Sequence, residues 1–557
     1  MQRIFSCLVW TLAAASLLTV STHARAETWP LELKRLDSQD RSHGYSNRID
    51  YLYRTTSSQS FSLHQAPDGK GGMRFMGNEP QTAEFKKLVK KEPEYKSANP
   101  FRGVAKLGTQ KYLFALDSSE PKPKAEKDEE KAKKEDEKAK EEKAKKETKS
   151  ESAIAKLKDK LDKDKEKTKS ALKTALKAAT YDRLYFDFNH NGDLTDDKVI
   201  EGKVQDGEYA PGNTYANVSF PRLDVTIDAD GTPVESAIFL AVHSQGSSNF
   251  NYTFVQINAG AYRQGDITLD GKKRHVVLID FNSDGRFDSE MKVNKNVHTP
   301  DGRIYPEQGD MLLVDPEQNM SKSLYDSPYD VTSSSYRLNV GKLVSIDGRF
   351  YDLKITPAGD KISLTPSTVG VGKVTNPNDG FSALIYSDAG VLKIGGDKGT
   401  SSPVPEGEWK LLSYTINRIE KPKPVEKPKD DKKDATGATV LETLNKTLES
   451  YLGGGPAGAS SRPLMSTVAA NATADYKAVK VIKDQTVEMP FGPPYKPKVT
   501  SQNYGDKKQL HLQMALIGSA GEICTNMMVN NGRPGKPEFT ITDPGGKVVE
   551  QGSFEYG

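Results

Sequence analysis

Among its 557 residues the chain has only two cysteines, Cys7 and Cys524. Removal of an N-terminal leader leaves a single thiol, which excludes an internal disulfide; the mature fold must then be held by burial, with or without a metal. No apolar run long enough for a membrane helix follows residue 20, so no stable span is expected after processing. Neither sign of charge prevails, with a net charge of +3. RNP-like, zinc-finger and helix-turn-helix patterns are absent as well, which excludes a dedicated nucleic-acid binder. Missing too are a Gly-x-Ser-x-Gly elbow, a Walker loop and a His-Glu-x-x-His pair, and with them the common signatures of serine hydrolases, nucleotide hydrolases and zinc proteases. The mature histidines (His43, His64, His190, His243, His275, His298 and His511) are scattered. Cys524, with His511 as its sole local candidate partner, reads as a small buried strand residue before it reads as a catalytic thiol.

What the sequence does carry begins at its N-terminus. Arg3 precedes an apolar run from Ile4 to Val20, and Ala24-x-Ala26 supplies the small side chains a signal peptidase requires. Residues 1–26 are therefore expected to be a cleavable signal peptide, which makes the mature protein periplasmic, secreted or displayed at the cell surface. The competing reading is an uncleaved anchor, but no stop-transfer pattern reinforces it.

Two biased segments divide the rest. From about 119 to 179 the text is Ala/Glu/Lys, with many i,i+4 charge pairs and no apolar face before Ile154. That composition predicts a solvated helix or a disordered spacer. From 419 to 474 proline, lysine and glycine predict an extended linker, with one short amphipathic helix around Val440–Leu448. These segments separate four expected β units at 27–118, 180–335, 336–418 (a small sandwich) and 475–557 (a C-terminal sandwich).

Outside the biased segments the chain is written in short β-branched and aromatic runs bounded by Gly, Asp, Asn or Pro. Asp230-Gly231, Asp270-Gly271, Asp301-Gly302 and Asp347-Gly348 recur between such runs, and Asp-Gly is a strong hairpin signal. The expected fold class is mainly β, built from antiparallel sandwich- or barrel-like modules. Aromatics of the C-terminal units, among them Trp409 and the Phe491-Gly-Pro-Pro-Tyr495 segment, are candidates either for the core or for stacking on sugar rings.

The informative chemistry lies at two strand ends. One loop runs from Asp187 through Asn189, Asn191, Gly192, Asp193, Thr195 and Asp196 to Asp197; the other runs from Asp280 through Asn282, Asp284, Gly285, Arg286 and Asp288 to Glu290. Both place oxygen side chains at positions 1, 3 and 5, glycine at 6, and further oxygens at 9 and 11. Calcium, a hard cation taking six to eight oxygens in loose geometry, needs this spacing; magnesium is stricter, and zinc prefers His and Cys. The position 7 carbonyl of Asp193 or Arg286 would complete the ring. Position 12 is Lys198 or Met291 in place of the usual Glu, so Asp196, Asp197 or Glu290 must substitute. Extracellular loops of this kind bind with dissociation constants on the order of 0.1 to 1 mM, and the second loop, with four carboxylates, is expected to bind more tightly. His190 is expected to be exposed and not a ligand. The alternative is a pair of ordinary Asx-rich turns.

Gly265 to Asp288, Leu184 to Thr195 and the closing Pro537 to Gly557 resemble secreted, functionally uncharacterised proteins of planctomycete-type bacteria with strand-borne calcium loops. The resemblance implies export and calcium binding but supplies no activity. Members often continue past the Phe-Glu-Tyr-Gly element, which implies a natural chain longer than one ending at Gly557. Two functions remain open: a noncatalytic calcium-binding β protein with a structural or binding role toward envelope or extracellular glycan or protein, or a secreted hydrolase of polysaccharide or peptide with structural calcium.

Overall fold

The computed structural model describes residues 27–37, 58–67, 73–76, 79–97, 99–119, 178–247, 250–316, 337–420, 464–503 and 510–556. The expected signal peptide, the charged segment from 120 to 177 and the short helix at 440–448 lie outside the described residues.

The described chain is mainly β, as expected, and Glu79–Leu88 is its α-helix. The Asp-Gly pairs at 230, 270 and 347 all have positive φ at both residues. That backbone matches the strand twist in a two-residue hairpin turn, and aspartate and glycine tolerate it. Each pair joins hydrogen-bonded neighbours, for example Ala261–Leu269 to Lys272–Ile279. Every pairing between named strands is antiparallel except that of Val371–Thr375 with Thr486–Glu488.

Layered packings follow from the alternation of apolar residues. A seven-stranded sheet containing Gln59–Pro67, Asn251–Ala259, Thr232–Gly246, Asn213–Ser219 and Lys203–Ala210 faces a four-stranded sheet of Phe101–Leu107, Gln110–Asp117, Arg183–Phe186 and Ile200–Glu201. Phe61, Val242 and Val255 from the first meet Tyr112, Phe114 and Phe186 from the second. The outer face of that four-stranded sheet is covered by the helix through Phe85. A second packing joins Ile267, Leu278 and Leu312 to Leu353, Ile362 and Leu364. A third, around Trp409, Tyr414 and Phe491, holds the C-terminal part together.

Strand pairing corrects the expected division of the chain. Residues 27–118 are not a self-contained unit: Glu27–Pro30 pairs with Lys361–Pro366, Glu32–Arg35 with Ala261–Leu269, and Gln59–Pro67 with Asn251–Ala259. The 336–418 unit is divided as well. Arg337–Asn339 pairs with Met311–Val314, and Leu343–Ile346, Arg349–Ile355 and Lys361–Pro366 join the sheet of Glu27–Pro30, while Phe381–Ser387 and Gly407–Glu420 belong to an eight-stranded sheet reaching Lys496–Asn503. Leu464–Asn471, assigned to the linker from its neighbours' composition, is a strand of that sheet, in full register with Gly407–Glu420. Long-range pairing leaves no compositional mark, which is why local text misplaced these boundaries.

Trp409 and Phe491 are core residues and do not serve as sugar platforms: each is 1% exposed. The indole N–H of Trp409 donates to the Pro405 carbonyl at 2.8 Å, and Phe491 stacks on Tyr414 at 4.7 Å. Cys524 is partly buried against the same core, and burial, with Glu522 nearby, pushes its thiol up to about 12. His511 sits on a strand that meets the Cys524 strand at the Ile517–Ile523 pair, six residues further along, so the two make no nucleophile–base pair. At pH 8 the thiolate of folded protein is expected to be roughly a thousandfold scarcer than that of a free cysteine. Iodoacetamide labelling followed by mass spectrometry should therefore be slow natively and fast in urea; equal rates would refute the burial.

Candidate metal centres

The two loops follow the strands Arg183–Phe186 and Lys272–Ile279, and they share one hydrogen-bond pattern. In the first, the Asn191 amide donates to Asp187 Oδ1 at 3.2 Å and to Asn189 Oδ1 at 3.0 Å; the Gly192 amide donates to Asp187 Oδ2 at 3.0 Å and the Asp193 amide to Asn191 Oδ1 at 2.6 Å. In the second, the Asp284 amide donates to Asp280 Oδ1 at 3.0 Å and to Asn282 Oδ1 at 3.1 Å; the Gly285 amide donates to Asp280 Oδ2 at 2.8 Å and the Arg286 amide to Asp284 Oδ1 at 2.9 Å. The equivalent residues at positions 4 and 6 have positive φ: His190 58° and Gly192 79°, Ser283 57° and Gly285 80°. This curl turns the amides inward, so that each fixes a side-chain oxygen while leaving it a second lone pair.

Position 8 anchors both loops through a buried apolar side chain, which the spacing of loop oxygens does not predict. Leu194 and Phe287 are each fully buried. Leu194 packs beneath the helix with Phe85 and Tyr185; Phe287 enters the second core, with its Cβ and ring against Gly359. A strictly apolar residue two places after the glycine is the signal that would have revealed them.

In the first loop Asp187, Asp193 and Asp196 lie near enough to Asp197 to repel it. Asp197 is pushed up to about 6, first by burial and then by repulsion from Asp196, Asp187 and Asp193, against one backbone hydrogen bond from Phe188. Its Oδ2 is buried and has no hydrogen-bond partner. Asp196, at position 10, accepts from the side-chain amides of Asn191 at 2.6 Å and Asn189 at 3.3 Å, so the acid expected to substitute for position 12 does lie across positions 3 and 5. Burial raises Asp187 above the ordinary carboxylate range. Asp193 is lowered, chiefly by the Thr195 hydroxyl and amide, and Lys91 lies 3.4 Å away. His190 is not exposed as expected. Its ring packs edge-on to Tyr112 at 4.0 Å, because positive φ at position 4 folds the side chain back onto the sheet.

The second loop differs from its expected donor set. Asp288 is ion-paired with the Arg286 guanidinium at 2.9 and 2.8 Å, and the same guanidinium grips both oxygens of Asp230 at 3.0 Å. Position 9 is thereby already neutralised. Glu290 is partly buried, and its backbone lies against Gly309. In their place the fold delivers Asp310, distant in sequence and missed for that reason. Asp310 accepts from the Phe281 amide at 3.2 Å and the Ser289 amide at 2.8 Å. Asp280 and Asp310 are 2% and 1% exposed; burial raises both well above the usual range, and Asp284 repels each. The carboxylates that repel one another here are thus Asp280, Asp284 and Asp310. With Asp288 paired to arginine, the expected tighter binding of the second loop loses its basis.

Among the described residues, no three His, Cys, Asp or Glu side chains are arranged to hold a metal by themselves. A calcium loop does not require that, since amide and main-chain oxygens supply much of the sphere. An orphaned buried carboxylate oxygen and mutually repelling buried acids are what a hard cation would relieve, and on that ground the residues fit calcium. Among the described residues no helix is long and apolar enough to cross a membrane. No family model, curated protein or solved structure matches the chain.

Proposed function

We propose that this is an exported, noncatalytic calcium-binding protein whose ion-filled turns brace a β scaffold with a binding or structural role in the cell envelope. The observation that carries the reading is the duplicated loop: two turns far apart in sequence share the same amide-to-oxygen network, the same positive-φ positions and the same buried anchor. Ordinary Asx turns satisfy their own backbone. Here acids are gathered beyond that need, and Asp197 Oδ2 remains unpaired. Each bound ion would be held by Asp187, Asn189, Asn191, Asp196 and Asp197, or by Asp280, Asn282, Asp284 and Asp310. Its chemistry would be charge neutralisation, with affinity on the order of 0.1 to 1 mM.

Titration calorimetry of metal-free mature protein is expected to show two sites for calcium. Asp187→Ala and Asp280→Ala should each leave one, and the double variant none. Absence of heat at millimolar calcium would end the proposal, and unchanged stoichiometry in both single variants would misplace the sites.

A further inference from the structure

The solvent face of the seven-stranded sheet carries an aromatic and amide pattern that the calcium reading does not use. Strand register aligns it into two rows. The first runs His64, Tyr252, Gln245, Tyr215, Gly207 across five neighbouring strands. The second runs Ser62, Phe254, His243, Asn217, Gln205. Intervening residues such as Leu63, Val255, Val242 and Val218 point into the core, so the two rows face outward, and none of their members is fully buried.

The rings form a platform. Tyr252 and Phe254 lie 6.2 Å apart with planes only 15° from parallel, and the His64 ring lies 4.6 Å from that of Tyr252. Tyr215 lies across Gly207: a Cβ there would meet its hydroxyl at 2.9 Å and its ring carbons at 3.0 Å. A side chain at 207 would lift that ring, so the glycine permits it to lie flat. Between the aromatics stand amide and imidazole groups, and Asn217 holds the His243 ring through a 3.0 Å contact at Nδ1. Tyr252 and Tyr215 are two strands apart, about 10 Å at ordinary strand spacing.

We infer that this face binds a neutral linear polysaccharide, with Tyr252, Phe254 and Tyr215 stacking against the C–H faces of sugar rings and Gln245 and Asn217 meeting hydroxyl groups. The inference rests on the binding role proposed above and gives it a ligand class. Charge decides between ligands: the ten residues of the two rows include no Asp, Glu, Lys or Arg. A single-stranded nucleic acid would stack on such rings but needs a cationic track for its phosphates. An extended peptide uses a sheet edge, where backbone groups are unpaired, and not a sheet face. Aromatic faces interleaved with neutral amides suit a ligand that is apolar on its ring faces and hydroxylated at its rim.

Affinity electrophoresis of mature protein through gels containing soluble β-glucan, xylan or galactomannan tests the idea, run with calcium and with EDTA. Retardation by at least one polymer is expected, nearly independent of salt. Tyr252→Ala, Phe254→Ala and Tyr215→Ala should each weaken it about tenfold, while Tyr305→Ala, an exposed tyrosine elsewhere, should not. Circular dichroism melting establishes that each variant is folded. The proposal is overturned by migration unaffected by all three polymers, by wild-type retardation in folded Tyr252→Ala, or by retention of oligo-dT with steep salt dependence. Retardation without any calcium heat would sink the calcium reading alone; calcium heat without retardation would sink this one alone.

Discussion

Phe287→Ala is expected to destabilise the protein by about 3–5 kcal/mol, the usual range for deleting a fully buried phenyl ring. The ring is fully enclosed, with Gly359 against one side and the Arg263 guanidinium 5.7 Å from its centroid. Gly359 carries no side chain that could move in to fill the void, and its positive φ disfavours placing one there. Phe287 also closes the second loop: its amide donates to the Pro357 carbonyl at 3.1 Å. Urea denaturation should show the loss as a lower midpoint with an unchanged slope, and calcium should restore only part of it. A cost below about 1 kcal/mol would mean that the loop is not anchored through this residue.

Chelation is the second large perturbation. If free calcium is 10 to 100 times its dissociation constant, each occupied site contributes roughly 1 to 3 kcal/mol. At about 2–4 °C per kcal/mol for cooperative units of this size, calorimetric scans with EDTA should melt several degrees lower than scans in calcium. The direction follows from the charges: Asp280, Asp284 and Asp310 repel one another in one loop, and Asp187, Asp196 and Asp197 in the other. Magnesium at equal concentration should recover much less, because a small octahedral ion suits these open donor sets poorly. A melting curve indifferent to EDTA would leave the acids without a stabilising role.

The strands and hairpins were legible because their causes are local. Alternation in Asn251–Ala259 gives a strictly alternating burial pattern, and Asp-Gly at 230, 270 and 347 needs only its own backbone preference to make a turn. The loop oxygens at positions 1, 3 and 5 were legible for the same reason. Asp310 was not, because it arrives from a residue beyond the loop and becomes a partner only when its backbone meets Ser289 at 2.7 Å. Loop spacing points to the Arg286 carbonyl, whereas its side chain, spanning Asp288 and Asp230, changes the loop's charge. The aromatic rows were invisible for a related reason: Tyr252, His64 and Tyr215 are neighbours only through registers set across four strands.

Gln110–Asp117 and Arg183–Phe186 are adjacent antiparallel strands, and the Ser119 amide donates to Asp182 Oδ1 at 2.6 Å just beyond their paired ends. The chain ends on either side of residues 120–177 are thus held together at paired strands. Chain-closure entropy grows only with the logarithm of length, so doubling such a connection costs about 0.6 kcal/mol. The number of residues between these two strands can therefore change at little thermodynamic cost to the sheet that they join.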